Sequence, residues 1–281
     1  MMNDLSIWAP LNKIDRNKYL YHYTSIEKAF KILYYKKLRF SPITATNDIF
    51  EQKAKLLFNN YDSDTHKKIT KIRNYFDDQR NRVRILCFSQ DNQEVLDNPS
   101  DFPEDYKNAN VIGRGLALPR MWAQYSANNS GVCFIFNKQK LINSIKAQGL
   151  IFLANKVQYV DNYANEQLKK EDIQQLYKKI DLEYSNVFLD MIRKNNDFLI
   201  YNFFTKLKDW ESENEYRIMT YVCEKDSNTN VEIDELYKFL EGVVVGQNIA
   251  DENCVILNKL AKDIKIRKIY FDNHITSIQD I

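Results

Sequence analysis

Trp210–Val222 reads WESENEYRIMTYV, and the fold turns on how its last eight residues are laid out. On an extended backbone Glu215, Arg217, Met219 and Tyr221 share one face, while Tyr216, Ile218, Thr220 and Val222 share the other. The tract is therefore predicted as a strand with a carboxylate and a guanidinium at the entrance of one face. Glu211, Glu213 and Glu215 stand at alternate positions, so two or three carboxylates are expected to point the same way. Close like charges raise at least one proton affinity, whereas Arg217 favours the ionised form. Two readings stay open, an edge ion pair between Glu215 and Arg217 or a glutamate tuned for chemistry.

Other strands and helices fall into place around this one. Thr24 and Glu27 have capping-box spacing, and Ile26, Phe30 and Leu33 mark one helical face, which predicts a helix from about Ser25 to Tyr35 with His22 just before it. KLRFS reads as a short strand, Pro42 as a turn, and Asp48 with Glu51 as the start of another helix. Ile69, Ile72 and Phe76 give helical spacing to a polar excursion near residues 59–82, ahead of the strand VRILCFS, which reads as buried on both faces. A proline- and glycine-bearing stretch near 90–119 is predicted as a long loop. Pro119 then opens a short helix with Met121, Trp122 and Tyr125, leading to the strand VCFIF. Lys156–Val160 reads as strand-like. Residues 165–207 read as mostly helical through Leu176, Ile180, Tyr184, Phe188 and Ile192, as one broken helix or an antiparallel pair. A helix around Glu235, the strand GVVVG, a helix over Asn253–Ala261 and the strand IKIRKIYF complete the chain. Irregular strand spacing without internal repeats predicts one α+β domain over residues 1–281, with helical insertions, rather than a doubly wound fold.

Forty basic and 38 acidic side chains leave a formal charge of +2, so no global field selects a nucleic-acid or membrane partner. The four cysteines, Cys87, Cys133, Cys223 and Cys254, are too scattered for a zinc or disulfide pattern and are expected to be reduced core residues. No signal pattern opens the chain and no run of roughly 18 apolar residues could span a bilayer, so a cytoplasmic protein is expected.

Few residues announce chemistry. His22, flanked by Tyr21 and Tyr23, is either a ring at the edge of a cleft or a half-buried histidine bonded to a backbone carbonyl. Asn47 and Asp48 are helix caps first. Trp122 and Tyr125, three positions apart, are either core aromatics or a stacking surface for a planar ligand. Gly113–Gly115, GRG, lacks the longer phosphate-loop fingerprint. The basic run of Lys67, Lys68, Lys71, Arg73, Arg80, Arg82 and Arg84 reads as a solvated helix face before a nucleic-acid surface. No metalloprotease, nucleophile-elbow or P-loop spacing is present.

Several tracts together resemble a bacterial family known as domain of unknown function 2971: YHYTSIEKAFKIL, SPITATNDIFE, LCFS, MWAQYSANNSGVCFIF and KDWESENEYRI. Ile49 stands where that family usually has proline after the Asn-Asp pair, and the segment between LCFS and MWAQY is longer than usual. The family in turn resembles, more distantly, the ADP-ribosyltransferase superfamily. That resemblance implies a mixed, mainly antiparallel sheet and cleavage of the glycosidic bond of NAD, used as substrate, with transfer to a protein or nucleic-acid acceptor in a toxin or phage-defence setting. It implies Glu215 or Glu213 as the catalytic carboxylate, with His22, Tyr23, Thr24, Trp122, Tyr125, Asn47 and Arg217 around NAD and no metal. The alternatives are a non-catalytic nucleotide-sensing or protein-interaction domain and a metal-dependent nuclease.

Overall fold

The computed structural model describes residues 17–55, 62–92, 111, 113–163, 170–184, 186–223, 229–272 and 275–281. Most of the loop predicted near 90–119 and the first residues of both predicted insertions lie outside the described residues. Near-continuous Val, Ile and Phe runs need cover on both faces, and VRILCFS (β4, Val83–Ser89), VCFIFN (β5, Val132–Asn137) and LEGVVV (β11, Leu240–Val245) receive it. They join Tyr19–Thr24 (β1), Phe152–Lys156 (β6), Glu215–Tyr221 (β9), Ile266–Asp272 (β12) and Ile275–Asp280 (β13) in one sheet, ordered β13-β12-β11-β5-β1-β4-β9-β6. Ser41–Pro42 (β3) adds to β4 from the side, and Leu38–Arg39 (β2) pairs antiparallel with Glu232–Ile233 (β10) in a separate two-stranded sheet. Only β11 and β12 run parallel within this sheet, so it is mixed and mainly antiparallel, with helices on both faces, an α+β architecture.

The seam between β1 and β4 positions everything that follows. β1 pairs with β5 from Tyr19 opposite Asn137 to Thr24 opposite Val132, and β4 pairs with β9 over its whole length. Between β1 and β4 the register is Tyr21 opposite Ser89. Beyond that pair the His22 ring takes over, its Nδ1 lying 3.0 Å from the Cys87 carbonyl. Two well-paired half-sheets thus meet at a narrow join, and a cleft opens there.

Helices cover both faces of the sheet. One face buries Leu20, Phe88, Phe134, Phe136 and Ile218 beneath Ile26–Tyr35 (α1), Lys138–Ala147 (α4) and Asp251–Ala261 (α8). On the other face, Ser63–Arg80 (α2), Lys170–Glu183 (α5), Val187–Arg193 (α6) and Asp197–Phe203 (α7) bury Ile72, Phe76, Ile180, Phe188 and Phe203 against Ile85 and Met219. A third cluster sets Pro119–Tyr125 (α3) over Tyr19, Tyr21, Tyr23, Cys133 and Val244. Among the described residues no helix is long and apolar enough to cross a membrane.

Several expectations are corrected. The Thr24–Glu27 capping box does not form, because Thr24 is still held in the ladder opposite Val132; Ser25 is the N-cap and Glu27 hydrogen-bonds it instead. The long helical stretch before Leu207 breaks into three helices and ends in the short strand Thr205–Leu207 (β8), paired in parallel with Gln158–Val160 (β7). Around Glu235 there is a single 3₁₀ turn, Leu236–Lys238. Cys223 is exposed rather than a core residue, although all four cysteines are free. The helix α4 and the strands β6 and β13 have no counterpart in the sequence reading.

Candidate functional site

The cleft at the seam encloses about 670 Å³ and is lined by His22 and Thr24 from β1, Cys87 and Ser89 from β4, Asn47, Tyr125, Lys206, Glu213 and Glu215. Tracts far apart in sequence therefore converge: the end of β1, the Asn-Asp turn, the end of α3 and the entrance of β9. The outer wall is basic, with Lys28 and Lys31 of α1 and Arg39 facing the same space.

Glu213 and Glu215 do not approach as neighbours on one strand. Lys208–Glu213 is a 3₁₀ turn and Asn214 takes a left-handed backbone with φ 43°, so the predicted alternation stops at Glu215 and Glu211 is exposed. The bend nonetheless turns Glu213 back beside Glu215, and Lys206 fills the space between them. Its Nζ donates to Glu213 Oε2 at 2.8 Å and lies 2.9 Å from Glu215 Oε2. Tyr125 donates its hydroxyl to Glu213 Oε1 at 2.6 Å, and Asn47 hydrogen-bonds that hydroxyl from the cleft side. On the inner side Arg217 grips Glu215 through Nε at 2.7 Å and Nη2 at 3.0 Å, while its Nη1 donates to Glu51 and to the Phe203 carbonyl. A continuous chain of contacts thus runs from Asn47 at the surface through Tyr125, Glu213, Lys206, Glu215 and Arg217 to Glu51 in the core.

Burial alone would protonate Glu215, but Arg217 and then Lys206 outweigh it and hold the carboxyl well below the usual range. Burial likewise acts to lower Lys206; Glu215 leads the charges that instead keep the ammonium firmly protonated. Burial and the Glu213 charge raise the Tyr125 phenol, so it remains a donor. Burial pushes the Cys87 thiol well up, with Glu215 adding to the effect, which leaves no thiolate nucleophile there. His22 is lowered chiefly by burial, so its ring is neutral at neutral pH. Because a carbonyl only accepts, the bond to Cys87 places the proton on Nδ1 and leaves Nε2 as an acceptor. Ser89 adds the complementary group: its Oγ is buried in the cleft wall with no hydrogen-bond partner among the described residues. An orphaned buried hydroxyl facing a cavity is the kind of group a ligand satisfies.

Not every expected residue is placed for contact with a ligand. Trp122 is 0% exposed; its indole donates to the Leu116 carbonyl at 2.8 Å and its ring meets Tyr23 edge-on, so it and Tyr125 do not form one stacking surface. Trp122→Phe should retain the fold at a cost of about 1–2 kcal/mol, read from chemical denaturation, for the lost hydrogen bond and smaller ring. Tyr23 borders the cleft, yet its hydroxyl donates to the Gly115 carbonyl. Arg217 is 0% exposed with every terminal nitrogen engaged, which makes it a support of Glu215 rather than a ligand contact. The GRG tripeptide is structural too: Arg114 is buried on Tyr21 and Asp91, and a Cβ on Gly115 would lie 2.4 Å from the Tyr21 ring. Sequence reasoning missed Lys206, Glu51 and Ser89. The only signal for a cation was indirect, since two buried carboxylates demand more positive charge than Arg217 supplies.

Behind the cleft lies Lys55, buried, its Nζ donating to the Thr205 carbonyl and lying 4.8 Å from the Tyr163 ring centroid. Burial lowers its pKa from 10.5 to about 7; Glu51 opposes this, while Arg217 and Arg80 reinforce it. Between those values the unfolded chain binds the extra proton, so the Lys55 contribution to stability should rise with pH from 7 toward 8, by at most about 1.4 kcal/mol per unit, and level off in acid. The stability difference between wild type and Lys55→Met should carry this rise; denaturant midpoints of both proteins at pH 6, 7 and 8 would show it, since the thiols of the unfolded chain titrate above that range and His22 contributes equally to both.

Among the described residues no group of three His, Cys, Asp or Glu side chains could hold a metal ion. Residues 121–218, which include Tyr125, Lys206, Glu213, Glu215 and Arg217, match a family model described as protein of unknown function (DUF2971). No curated protein matches the chain. Among solved structures, DarT of Thermus sp. 2.9 in complex with carba-NAD+ is similar at 12% identity and a TM-score of 0.35, over 90% of this chain and 96% of that one. The same protein in complex with ADP-ribosylated ssDNA is similar at 10% identity and a TM-score of 0.33, over 89% and 93%.

Proposed function

We propose that the chain is an ADP-ribosyltransferase-type enzyme that takes NAD into the cleft at the β1–β4 seam and transfers its ADP-ribosyl group to a macromolecule. The observation that carries this reading is the convergence of His22, Ser89, Tyr125, Glu213 and Glu215 on one cleft. When the bond between ribose C1′ and the nicotinamide nitrogen breaks, its electron pair leaves with nicotinamide and positive charge develops on the ribose. A fixed carboxylate beside C1′ stabilises that charge, as in glycoside hydrolysis. The acceptor's oxygen or nitrogen then bonds to C1′ and its proton passes to the carboxylate, so that NAD+ and acceptor yield the ADP-ribosyl product, nicotinamide and one proton. Neutral His22 accepts a ribose hydroxyl at Nε2, and Ser89 donates to an oxygen of the ligand.

Purified protein should release nicotinamide from NAD when offered a suitable protein, DNA or RNA acceptor, and in the toxin or phage-defence setting expression of active protein should arrest growth. A second reading rests on a specific observation: Lys206 and Arg217 compensate much of the carboxylate charge. A non-catalytic nucleotide sensor or interaction domain would bind NAD in the same cleft without turnover. Binding with no nicotinamide release for any acceptor class selects it; neither binding nor release removes both.

A further inference from the structure

Glu213 stands at the end of the 3₁₀ turn Lys208–Glu213, in which Lys208, Asp209, Glu211 and Ser212 are exposed. So short a turn has few and poorly aligned hydrogen bonds of its own, and the place of its last carboxylate is set by what grips it from outside. Asn214 secures the far end, its side-chain amide donating to the Gln90 and Asp91 carbonyls at 3.0 Å each. At the near end Lys208 pairs with Asp161, but both side chains are exposed and such a pair holds little. The middle of the turn is held by Arg120.

Arg120 lies in the first turn of α3 and does not itself line the cleft. Its Nη1 donates to the Asp209 carbonyl at 2.7 Å and to the Ser212 hydroxyl at 3.0 Å, which brackets Trp210, and its Nε donates to Gln124 at 3.2 Å. The guanidinium carbon is 5.5 Å from the Trp210 ring centroid, and the Lys206 ammonium is 5.2 Å from the same ring. Trp210 is thus shared by two cations, and one of them, Lys206, is the bridge between Glu213 and Glu215. Because Tyr125 belongs to the same helix as Arg120, α3 grips the turn at two points, its middle and its terminal carboxylate. A planar fork can hold a carbonyl, a hydroxyl and an amide oxygen at once, which a lysine ammonium on a flexible stem does less well.

We propose that Arg120 is a positioning residue: by fixing the turn and Trp210 it sets where Glu213 and Lys206 stand in the cleft, without touching the ligand. The kinetic half of its test rests on the enzyme reading, whereas the structural half does not. Full-length wild type, Arg120→Met and Arg120→Lys are compared. Amide exchange in Arg120→Met should quicken about tenfold at Asn214, whose N–H donates to the Glu211 carbonyl at 3.0 Å, and remain unchanged in the paired strands. Nicotinamide release should lose about tenfold in kcat with KM within about twofold, since a displaced carboxylate costs the transition state more than bound substrate. Arg120→Lys keeps a cation near Trp210 and one donor, and should recover part of both losses. An arginine with a merely structural role would lower the melting temperature and leave kcat unmoved. The proposal is overturned if exchange at Asn214 is unchanged in Arg120→Met, or if the turn loosens while kcat stays at the wild-type value. If wild type binds NAD but releases no nicotinamide, the enzyme reading fails alone, and the exchange result with its recovery in Arg120→Lys decides the positioning role.

Discussion

Arg217→Met is expected to cost about 3–5 kcal/mol of stability, because it strips the cation from a buried network while leaving the anions in place. Arg217 is 0% exposed and is the contact through which Glu215 and Glu51 meet a common guanidinium. Methionine fills a similar volume, so the loss measures electrostatics more than a cavity. Lys206 still faces Glu215, but Glu51 already has one buried carboxylate oxygen without a hydrogen-bond partner among the described residues. For a chain of this length such a loss corresponds to a fall in melting temperature of roughly 6–20 °C. Adding Glu215→Gln should recover part of it, since the pair is coupled, and the double-mutant cycle gives the size of that coupling. A loss below about 1 kcal/mol would show that water or local rearrangement screens the network.

The strands were legible because their signal is local. VRILCFS, VCFIF and GVVVG are continuous apolar runs bounded by turns, and in EYRIMTY alternation assigns Glu215 and Arg217 to one face and Tyr216 and Ile218 to the other, as the two core clusters show. Phe152–Lys156 escaped because FLANK alternates weakly; its place is fixed by pairing with β9, from Phe152 opposite Thr220 to Lys156 opposite Tyr216. At the site, His22, Tyr125 and the two glutamates could be singled out by position, whereas the connection between Arg217 and Glu51 spans 166 residues and has no local periodicity. At Trp122 the spacing of three positions from Tyr125 left core packing and a shared surface both open, and the indole's bond to Leu116 turns it into the core. Helical spacing says which residues are neighbours, not which side of the helix the sheet takes.

On the proposed reading, Glu213→Gln is expected to lower nicotinamide release at saturating NAD by about a hundredfold or more while leaving the fold nearly unchanged. The division of labour follows from the partners. Glu215 meets both Arg217 and Lys206, so its charge is spent inside the protein, and its neutralisation leaves Arg217 poorly compensated. Glu213 meets one cation, Lys206, and one neutral donor, Tyr125, and it stands on the side of the cleft nearer Asn47. It therefore keeps more field to offer a ribose cation. A glutamine at 213 still accepts from Tyr125, and Lys206 retains Glu215, so melting should shift by only a few degrees. Glu215→Gln should lose stability and activity together, whereas Tyr125→Phe should chiefly raise KM or lower kcat several-fold by freeing the Glu213 carboxylate. If Glu213→Gln instead releases nicotinamide at the wild-type rate while a folded Glu215→Gln is inactive, the roles are reversed and Arg217 is part of the catalytic apparatus through Glu215.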